Sequence, residues 1–231
     1  MRLGVPAATP LMVHASLRKI GPIAGRAEAL LDALIESLGP RGTLLMILGA
    51  DDEEPFDALS SQADEDVGVL AEVFRQRAGV RVNDHAAARY GAIGPQSLPL
   101  LEPVPLHDYH GPGSVVARFT DSGGFVLRLG ANVDTVTVTH WAEYLARVPN
   151  KRRARRRYER AGSGEQWIEG LDDDDGIADW EHGDYFSQVL LDFLKTGQAR
   201  TGPVGACNAE LFPARTFVDF AVGWLEAHLR P

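Results

Sequence analysis

The sequence predicts an α/β fold: a mixed central sheet flanked by helices, with a hairpin and helical portion toward the C-terminus. Three observations carry this. Apolar runs too short for helices, LMVH at 11–14, TLLMIL at 43–48 and FVLRL at 125–129, alternate with stretches of helical spacing. Glycine and proline mark the changes of pattern. Two alternating stretches around Gly162-Ser163-Gly164 read as a hairpin, so the sheet is mixed rather than wholly parallel.

Taken in order, 11–14 is a short strand running into a loop. An amphipathic helix opens after Gly25, with Leu30, Leu31, Leu34, Ile35 and Leu38 at helical spacing, and Gly39-Pro40 stops it. Residues 43–48 form a strand apolar on both faces, as a strand covered on both sides requires. The polar, acidic stretch 50–66 has no period and reads as a long loop. A second helix covers 69–77 and ends at Gly79. Strand 125–129 follows the Ser122-Gly123-Gly124 turn and runs through Gly130-Ala131-Asn132 into a helix over 136–148. The hairpin comes next, then an amphipathic helix over 184–195 and a last helix over 214–228. No repeat, low-complexity segment or linker divides the chain, so one domain over 1–231 is expected.

Composition narrows the function. The 231 residues are 45% hydrophobic and 24% charged, ordinary for a globular protein. No apolar run approaches the roughly 20 residues that cross a bilayer. Pro6 and Pro10 break the N-terminal apolar stretch, so no secretory signal is read and a cytoplasmic location is expected. Cys207 is the only cysteine; it excludes an intrachain disulfide and Cys-rich zinc sites and reads as a buried structural thiol. A net charge of −9 argues against nucleic acid as the main partner and is compatible with a polycationic one.

Four groups of residues can carry chemistry. His14-Ala15-Ser16-Leu17-Arg18 follows the first strand, where backbone N–H groups, a hydroxyl and a guanidinium can hold a phosphate-bearing ligand. Spacing describes a plain strand–helix connection equally well, and the glycines of a Walker or dinucleotide loop are missing. In Thr139-His140-Trp141-Ala142-Glu143, His140 and Glu143 share a helix face, so the carboxylate can orient the imidazole as a general base. A core histidine paired with an acid fits that spacing too, and no second histidine makes it a zinc helix. The acidic runs Asp51-Asp52-Glu53-Glu54 with Asp57, and Asp172 to Asp175 with Asp179, read as solvated loops or as a cation site. They are not a calcium loop, because Gly176 as sixth position puts Leu171 first and His182 twelfth. The basic run from Lys151 to Arg157 reads as a solvated helix end and first strand, with a phosphate contact as the other reading.

Together these pieces resemble the aminoglycoside 3-N-acetyltransferase family over nearly the whole chain. The resemblance rests on VHASLRKIGPIAGRAEALLDAL near the N-terminus, GTLLMILG at 42–49 and GVLAEVFRQRAGVRVNDHAAARYGAIG at 68–94. It continues with HGPGSVVARF at 110–119 and LRLGANVDTVTVTHWAEYLA at 127–146, in that order. It implies a single antibiotic N-acetyltransferase-like domain with acetyl-CoA as cosubstrate and no metal. His140 is then the general base and Glu143 its orienting acid. His14, Ser16, Leu17 and Arg18 become cofactor contacts, with Gly113-Ser114 as a second turn and Arg81, Val82 and Asn83 along the pantetheine arm. Asp51, Asp52, Asp57, Glu169, Asp172 and Asp174 can hold the ammonium groups of an aminoglycoside or other polycationic amine. The chain departs from the family pattern at His85-Ala86, where His-Pro is common, at Arg89, where Ser is common, and at Val115, where Pro is common. Other readings are acetylation of a different amine, a non-catalytic CoA-binding relative, and a hydrolase using Cys207, whose surroundings GPVGACNAEL match no cysteine-hydrolase signature.

Overall fold

The computed structural model describes residues 3–50 and 54–229. Strand β1 (Pro10–Ala15) leads into the one-turn helix α1 (Leu17–Ile20), then helix α2 (Arg26–Leu38) and strand β2 (Thr43–Ile47). Beyond the long loop come helix α3 (Val69–Gln76), strands β3 (Arg81–Val82) and β4 (Tyr90–Ile93), and helices α4 (Ser97–Leu101) and α5 (Val115–Asp121). Strand β5 (Phe125–Leu129), helix α6 (Val138–Leu145) and the hairpin strands β6 (Arg153–Arg160) and β7 (Gly164–Leu171) follow. Helix α7 (Tyr185–Lys195), strands β8 (Arg200–Val204) and β9 (Cys207–Pro213), and helix α8 (Ala214–His228) complete the described chain.

Seven strands form one mixed sheet in the order β3-β4-β2-β1-β5-β9-β8, and β6 pairs only with β7. The centre, β2-β1-β5, is parallel, while β4 and β9 run antiparallel on either side. Strand alternation sends the apolar residues to two cores. Leu11, Val13, Leu44, Met46, Leu127 and Leu129 face α2 and α3. Met12, Leu45, Val126 and Phe212 face the other way, against α5, α6, α7 and α8.

Helix α2 lies where its spacing predicts, burying Ala27, Leu31, Leu34 and Leu38. Its end is set by Gly39, at φ 68°, whose N–H reaches the carbonyls of Ile35 and Glu36. Helix α6 is shorter than the expected 136–148. Its first turn is a set of tight bonds, Thr139 N–H to Val136 O and His140 N–H to Thr137 O, and Ala146 is already extended. Pro149 bars the helix from reaching 148, since the residue before a proline is pushed out of the helical region. The strand half of the basic run stands, since Arg153 to Arg157 lie in β6 and alternate between exposed and partly buried, but Lys151 and Arg152 before it are irregular rather than a helix end. Cys207 is half-buried rather than buried, at the first position of β9, with its thiol donating to Val204 O at 3.2 Å.

This topology gathers loops at one edge. Because β1, β2 and β5 are parallel, the segments after them, 16–21, 48–68 and 130–137, leave from the same end of the sheet, where α/β proteins place their ligands. Antiparallel β4 starts at that end, with Tyr90 opposite Ile47. The β6–β7 hairpin closes over the loop after β2: Phe56 N–H donates to Glu159 O at 2.7 Å, and Ala161 N–H to Phe56 O at 2.9 Å.

Candidate active site

Helix α6 turns Val138, Trp141 and Ala142 into the core, which carries Glu143 inside with them at 1% exposure. An ionised carboxylate there requires partners. Its Oε2 lies 2.9 Å from His140 Nδ1, and its Oε1 accepts from the Tyr185 hydroxyl at the start of α7. That hydroxyl in turn accepts Ile177 N–H at 2.7 Å. Burial and the adjacent Glu143 charge push the Tyr185 phenol far up, so it remains a donor. With Nδ1 bound to the carboxylate, the imidazole carries its proton on Nδ1 and leaves the Nε2 lone pair free. Burial alone would lower the His140 pKa; the Glu143 hydrogen bond and charge, with Asp173 and Asp174 beyond, outweigh it and raise the pKa.

A second imidazole lies flat on the first. His110 and His140 have ring centroids 4.7 Å apart and planes within 11°, and Phe186 closes another side at 4.9 Å. His110 is 4% exposed, and burial, with the His140 charge next, depresses its pKa to about 3, so it is neutral. Its Nε2 is 3.6 Å from Asp173 Oδ2 and its Nδ1 is 3.5 Å from the Tyr90 hydroxyl. Asp173 also accepts from Tyr109 at 2.7 Å and from Arg156 at 2.6 Å. Burial works against its charge, but His140, His110 and these donors hold its pKa low.

Asp173 and Asp174 form one wall of a cavity of about 720 Å³. Asp64, Glu65 and Asp66 stand on the loop after β2 as another wall, giving five carboxylates against one cation, Arg156. That balance of charge favours a positively charged occupant.

The expected binding residues divide. Asp174 lines the cavity; Asp172 does not, its Oδ1 accepting from Asp174 N–H, Asp175 N–H and Arg156. Asp57 folds back on its own loop, one oxygen accepting from Leu59 N–H, Ser60 N–H and the Ser60 hydroxyl. Glu169 stands on the outer face of the hairpin, 3.4 Å from Arg153, because strand alternation turns it away from Ile168 and the core. Asp51 and Asp52 lie outside the described residues.

At the loop expected to hold the cofactor, Ser16 caps α1 by accepting Lys19 N–H, and Arg18 is exposed beside it. Ser16 N–H donates to Leu129 O at 2.9 Å and Lys19 Nζ to Asn132 Oδ1 at 2.8 Å, tying this loop to the segment that leads to His140. His14 is buried beneath, next to Arg128, and burial depresses its pKa to about 3. Arg81 and Val82 do not adjoin the loop: β3 is the outermost strand, three places from β1 and so roughly 14 Å away at normal strand spacing. Asn83 is 1% exposed and fully engaged, donating to Ala88 O at 2.8 Å and accepting Tyr90 N–H at 2.6 Å. Gly113, at φ 78°, precedes Ser114, the N-cap of α5, whose buried hydroxyl accepts Ala117 N–H at 3.2 Å. Among the described residues no cluster of His, Cys, Asp and Glu is arranged to hold a metal, and no helix is long and apolar enough to cross a membrane.

Sequence reasoning did not pick out His110, Asp173, Tyr185 or the Asp64–Asp66 wall. Asp173 stood in plain view within a run of four aspartates. The other groups come from separate elements with no local signature.

Comparison with known proteins is consistent from end to end. Residues 12–226 match the family model for aminoglycoside 3-N-acetyltransferase. The chain is 33% identical to aminoglycoside N(3)-acetyltransferase VII of Streptomyces paromomycinus, covering 98% of this chain and 88% of that protein. It is 33% identical to aminoglycoside N(3)-acetyltransferase III of Pseudomonas aeruginosa, covering 97% and 90%. Among solved structures it is similar to AAC-IIIb in binary complex with CoASH, at TM-score 0.92 and 32% identity over 97% of this chain and 92% of that one. It is also similar to AAC-VIa bound to sisomicin, at TM-score 0.89 and 33% identity over 98% and 94%. The chain belongs to the aminoglycoside 3-N-acetyltransferase family, a family of acyltransferases.

Proposed function

We propose that the protein transfers an acetyl group from acetyl-CoA to the 3-amino group of an aminoglycoside, with His140 as general base and direct attack of the amine. The observation that carries this is the relay Tyr185–Glu143–His140, whose imidazole stacks on His110, itself 3.6 Å from Asp173 in the wall of the acid-lined cavity. CoA-bound and sisomicin-bound relatives support the choice of cosubstrate and acceptor. When bound, acetyl-CoA supplies an activated thioester.

The acceptor arrives as an ammonium, which cannot attack. Asp64, Glu65, Asp66, Asp173 and Asp174 hold its several charges by charge-assisted hydrogen bonds. His140 Nε2 takes one proton from the reacting amine, and the freed nitrogen pair forms the new bond to the carbonyl carbon. Glu143 stabilises the imidazolium that results, and Tyr185 keeps Glu143 in place. The carbon–sulfur bond breaks, the proton held on His140 leaves with the sulfur, and the nitrogen, on becoming an amide, gives its second proton to solvent. The segment 16–19 suits the phosphates, with Arg18 exposed on α1 just beyond the end of β1. The protein acts in the cytoplasm, where acetyl-CoA is made, and works as a single domain.

His140→Ala tests the role of the base. Thiol release from acetyl-CoA with a panel of 4,5- and 4,6-disubstituted aminoglycosides is expected to fall by about 10²–10⁴-fold. Activity within about threefold of the unaltered protein removes His140 from the mechanism.

A further inference from the structure

We propose that Arg89 is a positioning residue for acceptor binding, holding the loop that forms one wall of the acidic cavity. The proposal rests on the reading of that cavity as the acceptor site.

Arg89 immediately precedes β4 and is 0% exposed. No carboxylate among the described residues pairs with it. Its guanidinium donates instead to four backbone carbonyls: Ala58 and Ser61 at 2.8 Å, Gln62 at 3.0 Å and Gly49 at 3.3 Å. Burial pulls its pKa down to about 10, which leaves the group charged. A buried cation held by carbonyls and the face of Phe56, 5.7 Å from the ring centre, with its Nε left without a partner among the described residues, makes strict demands. Those carbonyls converge only in this loop conformation, so the burial of the charge and the shape of the loop depend on each other.

The loop has little else of its own. Among the described residues, the only backbone–backbone hydrogen bond within 57–63 is Ser61 N–H to Asp57 O at 3.0 Å. Side chains do the remaining work: Asp57 accepts Leu59 N–H, Ser60 N–H and the Ser60 hydroxyl, Ser61 Oγ accepts Asp57 N–H at 2.9 Å, Arg75 donates to Leu59 O at 2.6 Å and Glu72 accepts Ala63 N–H at 2.7 Å. Arg89 makes the most of these contacts and makes them nearest the cavity, since Gly49 and Gln62 both line it. Asp64, Glu65 and Asp66 follow directly, and a loop released by about 1 Å carries their carboxylates off the ammonium groups they meet.

The test is steady-state kinetics on Arg89→Met, which keeps the stem and loses the donors, and on Arg89→Lys, which keeps a charge but not the fork. Leu34→Ala, in the distant core under α2, controls for general destabilisation. For Arg89→Met the aminoglycoside KM is expected to rise at least about tenfold while the acetyl-CoA KM stays within about twofold, with Arg89→Lys between. Amide hydrogen exchange across 57–66 is expected to speed up in the same order. An unchanged acceptor KM, a parallel rise in both KM values, or an equal acceptor effect from Leu34→Ala overturns the proposal. If Arg89→Met does not fold, Arg89→Lys decides, and wild-type acceptor KM with unaltered exchange there overturns it. No turnover of any aminoglycoside by the unaltered protein refutes the acceptor reading alone; exchange across 57–66 still tests whether Arg89 holds the loop, and unaltered exchange overturns that.

Discussion

Replacing Glu143 by Gln keeps the shape of the side chain and removes its charge. Two donors converge on this carboxylate, Nδ1–H of His140 and the Tyr185 hydroxyl, and both need an acceptor. An amide has one acceptor oxygen, so its NH₂ must face one of the two donors. If the amide NH₂ faces His140, the imidazole moves its proton to Nε2, and the remaining lone pair, on Nδ1, points at the amide instead of the acceptor. A charged hydrogen bond is worth about 1.5–3 kcal/mol, which converts to roughly 10- to 150-fold in rate. Misassigned tautomers extend that, so a fall in kcat of about 10²–10³-fold is expected. The pH profile adds an independent reading. His140 works when neutral, so activity rises with pH through its pKa, and Glu143 raises that pKa. In Glu143→Gln the acidic limb therefore moves to lower pH even as the plateau falls. Thiol release from acetyl-CoA across a pH series measures both. A kcat within about threefold of wild type with the acidic limb unmoved refutes the orienting role.

Other perturbations follow the same logic. Arg156→Met strips the common cation from Asp172, Asp173 and Asp174; partial exposure tempers the loss to roughly 2 kcal/mol, read by urea denaturation, and no change refutes it. His14 and His110 are both neutral in the fold, with pKa values depressed to about 3 from the ordinary 6.5. The unfolded chain protonates first, so their contribution to stability is complete above pH 6.5 and is lost progressively as pH falls toward 3. His14→Leu is expected to lose roughly 2 kcal/mol less than wild type between pH 7 and 4.5, and equal losses in the two proteins count against the argument.

Periodicity makes α2, α3, α7 and α8 legible in the sequence, because each buries one apolar stripe and is punctuated by glycine or proline. The short elements are not legible there. β3 has two residues, α4 contains Pro99, and β8 and its turn hold Gly202, Pro203 and Gly205, all against local preference. Those segments take their form from pairing with β4 and β9 rather than from their own sequence. In the site, His140 and Glu143 can be paired from spacing because a helix places i and i+3 together. Which aspartate of 172–175 turns inward cannot, since four identical residues on a turn differ only in the contacts the fold supplies. Arg89 stands out as a departure from pattern, but its partners lie 27 to 40 residues away in sequence.

The phenol of Tyr185 joins two things that chemistry treats separately. It donates to Glu143, behind the imidazole, and accepts from Ile177, at the end of the segment that carries Asp173 and Asp174. The proposed acceptor wall and the proposed base are thus braced against a single oxygen atom. Gly176 sits in the gap, at φ 77°, and a methyl group there would collide with that oxygen. One carbon added at a residue that makes no contact with the imidazole would therefore reach it through the phenol. Acceptor and base are set to one another's position, and a change that shifts either is transmitted to both.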